Sequence, residues 1–275
     1  MIMNKTTVGR KEDKKSEMSF WEHLEDLRST IVRSVFAIVA LSVVAFINRS
    51  IIFDNVILAP KDSEFITNVL LCRLGKFLNL ESLCIDNLSL KIINIHLSGQ
   101  FLTHMYVSMA AGFIIASPYV IYQFWKFIDP ALKPDEKKYS RRAVFVISLL
   151  FISGVLFSYF IIVPLTINFL GTYQVSGFVA NQISLQSYIS TVISVTLGVG
   201  LVFELPVLIY FLARIGMVTP EFLRKNRKYT LIIILIIAAI ITPPDIFSQI
   251  LVSIPLLALY EASIYIAKRV NRGNE

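Results

Sequence analysis

The sequence predicts an all-α polytopic membrane protein with six transmembrane helices, and three observations carry that reading. Of the 275 residues, 55% are hydrophobic and only 16% charged, and the mean hydropathy is +0.68. A soluble domain carries roughly a quarter charged residues. The apolar residues gather into runs, most of them long enough to cross a hydrocarbon core about 30 Å thick. With six spans both termini share one side, and that side holds 21 Lys and Arg against five on the other. By the positive-inside rule both termini are cytoplasmic. The net charge of +7 is therefore a topology signal and not a nucleic-acid-binding face.

Residues 1–17 are charged and poor in apolar side chains, which predicts a disordered cytoplasmic tail ahead of a membrane domain over residues 18–270. Residues 271–275 form a second short tail. From Met18, Phe20, Trp21, Leu24, Leu27 and Ile31 recur at helical spacing opposite Glu22, Glu25, Asp26 and Ser29. That pattern predicts an amphipathic helix lying in the interface and running into a first span at about Ile31–Phe53. Residues 54–100 form a long outside loop. In it Ala59-Pro60 breaks the chain, Ser63–Leu80 has the spacing of a second amphipathic helix, and Leu88–Leu97 alternates like a short extended segment. The only two cysteines, Cys72 and Cys84, lie in this loop. If it faces an oxidising compartment they form a disulfide; two free thiols are the alternative.

The second span covers about Phe101–Phe124 and the third about Ala143–Phe169, with Gly154 and Pro164 inside it. The fourth runs through Tyr188–Arg214. The fifth apolar run, Tyr229–Thr242, is short: at about 1.5 Å per residue it reaches only about 21 Å. It either draws flanking residues in or thins the bilayer locally. The turn Thr242-Pro243-Pro244-Asp245 leads directly into a sixth span, Ile246–Ala267.

Glu204 is the odd residue of span four. A carboxylate at mid-bilayer depth costs about 2.5–3.5 kcal/mol on insertion scales. The surrounding Leu, Ile, Phe and Val side chains offset this with an upper bound of roughly 4–8 kcal/mol, so the span inserts. Pro206 frees backbone groups in the same turn. A functional polar site and a packing hydrogen bond are both open for Glu204. Asp245 has the position of an N-cap for span six. Glu261 precedes Lys268 and Arg269 by one to two turns, so ion pairing there and a partner contact are both open. On the basic side, Glu22, Glu25 and Asp26 beside Arg28, and Asp135-Glu136 after span two, offer carboxylates for a guanidinium ligand. Pairing with Arg28, Lys137 or Arg141 is the alternative. His23, His96 and His104 are scattered and read as structural. No P-loop, HExxH, GxSxG or Cys-His metal spacing occurs, so no catalytic residue, cofactor or metal site is expected.

Several motifs in register add a resemblance. His23-Leu24-Glu25-Asp26-Leu27-Arg28 is similar to the HLxELR signature of the TatC family, the receptor subunit of the twin-arginine protein translocase. The likeness continues through Ala59-Pro60, the segment YQFWKFIDPAL (Tyr122 to Leu132) with Glu136 after it, and FELPV (Phe203 to Val207). It ends with TPEFLRKNR (Thr219 to Arg227) and TPPDIFSQ (Thr242 to Gln249). The resemblance implies a cup-shaped six-helix bundle in the bacterial cytoplasmic membrane that binds twin-arginine signal peptides of folded precursors. It implies that Asp26, where Glu is usual, and Glu136 meet the two arginines, with Arg28 in support, Glu25 as an alternative carboxylate and Phe127 as the aromatic beside the site. Glu204 falls on the polar position inside the cup, with Gln249 of span six as its polar neighbour. It further implies single-span TatA- and TatB-type partners along spans five and six, contact with membrane lipid, self-association in the translocase, and transport driven by the proton-motive force. The alternative from a different class is a proton-coupled small-solute transporter with Glu204 as the proton site, whose signature of repeated halves is missing.

Overall fold

The computed structural model describes residues 20–77, 91–128, 140–176, 178 and 181–272. Five helical stretches are long and apolar enough to span a membrane. Span one is α1 (Phe20–Ile47), and span two is α3 (Gly99–Ile128). Span three joins α4 (Ser140–Phe157) to α5 (Val163–Thr172) through a π-helical turn, Ser158–Ile162. Span four is α6 (Leu185–Val202) followed by α7 (Leu205–Arg214). Span six is α10 (Ile246–Arg272). The fifth, α9 (Arg227–Ile241), has 15 residues, about 22 Å of helix. It is the short span the sequence predicts. Between spans one and two lies α2 (Ile66–Phe77), and α8 (Pro220–Lys225) precedes α9.

The helices form an open arc. α1 packs on α3, α3 on α4 and α6, and α4 on α6; α10 closes the far side by packing on α7, α9 and α5. One face of this arc is left concave, which gives the bundle its cup shape. The membrane core is built from β-branched and small residues: Val192, Val195, Val199, Val252, Leu256 and Ala267 are almost fully buried.

Two corrections come from α1, and one finding the sequence did not address. It is one uninterrupted helix from Phe20, so the amphipathic stretch and the span form a single rod. It ends at Ile47, and Ile51–Ile57, which the sequence reading had placed partly in the span, is a separate π-helical segment. The packed stripe is also not the apolar one. Thr30, Ser34 and Ala45 are buried, while Trp21 is 77% and Phe36 73% exposed. In a bilayer large apolar side chains face lipid and small residues let helices approach. Gly112 of α3 shows how closely: a Cβ there would lie 2.6 Å from the Ser42 backbone nitrogen.

Prolines leave carbonyls without their helical N–H partner, and side-chain hydroxyls fill several of these gaps. Pro118 cannot donate to Ile114 O, and Ser117 Oγ does so at 2.7 Å. Pro60 cannot donate to Val56 O, which accepts from Tyr159 Oη at 2.7 Å. Pro164 cannot donate to Phe160 O, which accepts from Thr67 Oγ1 of α2. Tyr188 Oη adds a bond to Ile57 O at 2.9 Å. Away from water an unpaired carbonyl costs several kcal/mol, so these bonds also fasten the outer loop onto spans three and four. Stacked rings of Phe65 and Phe160, 5.8 Å apart, add to the same contact.

The extended segment expected within Leu88–Leu97 is β1 (Lys91–Ile93). Its partner was not foreseen: β2 (Gln182–Ser184), just before span four, pairs with it in parallel, Ile92 opposite Ile183. Cys72, on α2, is disulfide-bonded; Cys84, Asp135, Glu136 and the amino-terminal tail lie outside the described residues.

Candidate functional site

At the end of the bundle that carries the termini, α1 begins where α3 ends. His23 of α1 stacks on Phe127 of α3 with ring centroids 4.3 Å apart. A second ring pair, Trp125 with Phe211 at 5.3 Å, ties α3 to the end of α7. These contacts fix the mouth of the cup. Half-buried His23 and Leu27 turn toward α3, and helical periodicity then leaves Glu25, Asp26 and Arg28 exposed. Among the described residues none of these three forms an ion pair, so the solvated pairing of the carboxylates with Arg28 is not made. Phe127 is the last residue but one of α3, nine positions before Glu136. The structure thus brings Asp26, Glu25, Arg28 and Phe127 to one rim, while Glu136 falls outside the described residues.

Glu204 sits at the break between α6 and α7. The main chain makes a turn there, Glu204 N–H donating to Leu201 O at 3.1 Å, and Pro206 opens the next helix. Both carboxylate oxygens are shielded and have no hydrogen-bond partner among the described residues. The polar group of a neighbouring helix that acts on the carboxylate is the Phe151 main chain of α4, so a packing role between spans three and four stays open beside a functional one. The residue before it, Phe203, packs on Phe157 at 5.5 Å, and a Cβ on Gly154 would meet the Phe203 ring at 2.7 Å.

Gln249 is engaged elsewhere. Its Nε2 donates to Leu235 O of α9 at 3.0 Å, so it staples span six to span five and is not hydrogen-bonded to Glu204. Asp245 is an N-cap: Ser248 N–H donates to its Oδ1 at 2.6 Å. Its Oδ2 is buried with no partner among the described residues. Glu261 pairs across spans with Arg227 of α9 at 2.6 Å, and not with Lys268 or Arg269. Sequence reading missed that pair and the neighbouring Tyr260. The Tyr260 hydroxyl donates to Leu223 O at 2.8 Å and lies 3.1 Å from Thr230 Oγ1. Their sequence separations of 30 to 37 residues carry no periodic signal. Among the described residues no group of His, Cys, Asp and Glu has the arrangement of a metal site.

A bundle of membrane-length helices, with exposed Glu25 and Asp26 at one end and a shielded carboxylate at the break in span four, defines a class: an integral membrane protein. The comparisons with known proteins make this particular. Residues 22–255 match the family model described as Sec-independent protein translocase protein (TatC). A TatC protein of Blattabacterium sp. subsp. Periplaneta americana is 42% identical over 262 residues, covering 94% of this chain and 98% of the relative. One from Carboxydothermus hydrogenoformans is 38% identical over 253 residues, covering 91% and 93%. A solved structure described as the crystal structure of the twin-arginine translocase receptor TatC superposes with a TM-score of 0.70 at 34% identity, covering 91% of this chain and all of that one. The chain belongs to the TatC family. It is a translocase component and not an enzyme, and a solute-transporter reading is left without support.

Proposed function

We propose that this chain is the signal-peptide receptor of a twin-arginine translocase, taking the paired arginines of a precursor at Asp26 and Glu136. The observation that carries the reading is the rim itself. The His23–Phe127 stack sets Glu25 and Asp26, exposed and without an ion pair among the described residues, beside the end of α3 that precedes Glu136 in sequence, on a face otherwise rich in Lys and Arg. A guanidinium pairs bidentately with a carboxylate, and Arg28 is a further exposed donor on the same rim. The peptide's apolar segment then lies along the concave face toward Glu204.

The 21 to five distribution of Lys and Arg supports cytoplasmic termini in the bacterial inner membrane. Outward-facing Leu231, Ile232, Ile236 and Ile240 of α9 offer an apolar surface to single-span TatA- and TatB-type partners. The proton-motive force drives transport. Photocrosslinking of a twin-arginine precursor in membrane vesicles tests the rim: Asp26→Ala and Glu136→Ala each weaken the crosslink while leaving insertion intact. Unchanged crosslinking in both variants contradicts the assignment.

A further inference from the structure

At the opposite end of spans one and two, the side away from the termini, lie two cavities that neither the rim nor Glu204 uses. One, of about 590 Å³, is lined by Arg49, Ser50, Asp54, Gln100 and His104 together with Phe53 and Phe101. The other, of about 490 Å³, is an almost wholly apolar groove between α1 and α3, running from Val35 past Val43 to Phe46 and closed on the α3 side by Phe101 and Met109. Phe101 lines both cavities. Phe46, at the end of the groove, stacks at 3.9 Å on His104 of the polar chamber. His104 is itself fixed, with Nε2 3.1 Å from Phe46 O and its ring edge-on to Phe53. It forms a fixed wall of the chamber.

We propose that this continuous site binds one phospholipid with a zwitterionic head bearing a primary ammonium, drawn from the leaflet opposite the termini. Length is the first support. From Val35 to Phe46 the groove follows eleven residue steps of α1, about 16 Å, which matches one leaflet of a core about 30 Å thick. Arg49 lies one turn beyond, at the height of a head group. Charge is the second support. Arg49 and Asp54 line the same chamber, both exposed, and among the described residues neither forms an ion pair, with the other or with anything else. A lone cation selects an anionic lipid, and a lone anion repels every phosphate. One of each selects a head with a phosphate and an ammonium, the guanidinium taking the phosphate and the carboxylate the N–H donors. Ser50 and Gln100 supply further polar groups at the same level. A choline head lacks those N–H donors, and a glycerol head lacks the positive charge. Contact between protein and lipid is general; a stoichiometric, head-group-selective site is the new claim, and it stands apart from the receptor reading.

The test uses the purified full chain in dodecyl maltoside, stripped of lipid and titrated with dioleoyl phosphatidylethanolamine, phosphatidylcholine or phosphatidylglycerol, with bound species read by native mass spectrometry. One ethanolamine lipid is expected to be held about tenfold more tightly than either competitor. Asp54→Asn removes the preference over choline, and Arg49→Gln weakens retention of all three lipids. Val43→Trp fills the groove with both charges intact and abolishes the one-to-one species. Circular dichroism checks that each variant keeps its helices. Equal retention of the ethanolamine and choline lipids, tighter retention of the glycerol lipid, unchanged behaviour in all three variants, or a second copy of this chain in place of lipid each overturns the proposal.

Discussion

Glu204 is the residue whose removal separates function from stability most cleanly. A buried carboxylate with no hydrogen-bond partner among the described residues opposes folding, because burying an unpaired polar group costs free energy. Glu204→Ala is therefore expected to insert and to withstand heat in detergent at least as well as the parent, while export of a twin-arginine precursor falls. Normal export in that variant would reduce Glu204 to a packing residue. Thr67→Val should show the reverse pattern: it strands the Phe160 carbonyl that Pro164 cannot serve and costs about 1–3 kcal/mol, without touching the rim. Thermal unfolding of the variant measures this, and an unchanged midpoint contradicts it. At this scale the sequence revealed chemistry that depends on residue type and near neighbours. Glu204 was conspicuous as a charge in an apolar run, and Asp245 as a cap one residue before a helix. Partners distant along the chain were invisible: nothing near Gln249 points to Leu235, and nothing near Glu261 points to Arg227.

Among the elements, span five matters most. α9 falls about 8 Å short of the hydrocarbon core, and its outer end meets the middle of span four: a Cβ on Gly198 would lie 2.6 Å from the Ile241 side chain. We propose that the bilayer beside this short span thins locally, one of the ways mismatch is accommodated, and that this lowers the barrier to a crossing polypeptide. Inserting four leucines into α9 adds about 6 Å and should impair export while leaving insertion intact; normal export with the longer span refutes the thinning account. The α1–α3 contact offers a second element-scale test. Gly112→Ala presses a Cβ onto the Ser42 backbone, and such overpacking typically costs about 1–3 kcal/mol. Thermal unfolding in detergent checks it, with an unaltered midpoint as the contrary result. Span boundaries were legible because hydropathy is local. The packed face of α1 was not, since apolar periodicity points to the core in water and to lipid in a bilayer. The β1–β2 pair was equally hidden: two three-residue strands with 88 residues between them leave no mark on either loop.

For the whole molecule, the arc of spans puts an acidic rim at one end, a carboxylate at the break in span four, and an outer loop fastened by tyrosine and threonine hydroxyls at the other end. This arrangement suits a receptor that must stay rigid while an extended peptide docks and a folded domain waits outside. The central claim is that the rim recognises paired guanidinium groups and not positive charge alone. Lysine is a point charge without the planar fork of arginine. The most direct measurement is binding of the purified chain in detergent to a precursor with its arginine pair and to the same precursor with two lysines. Retention of the first and loss of the second is the expected result; equal retention of both contradicts the account.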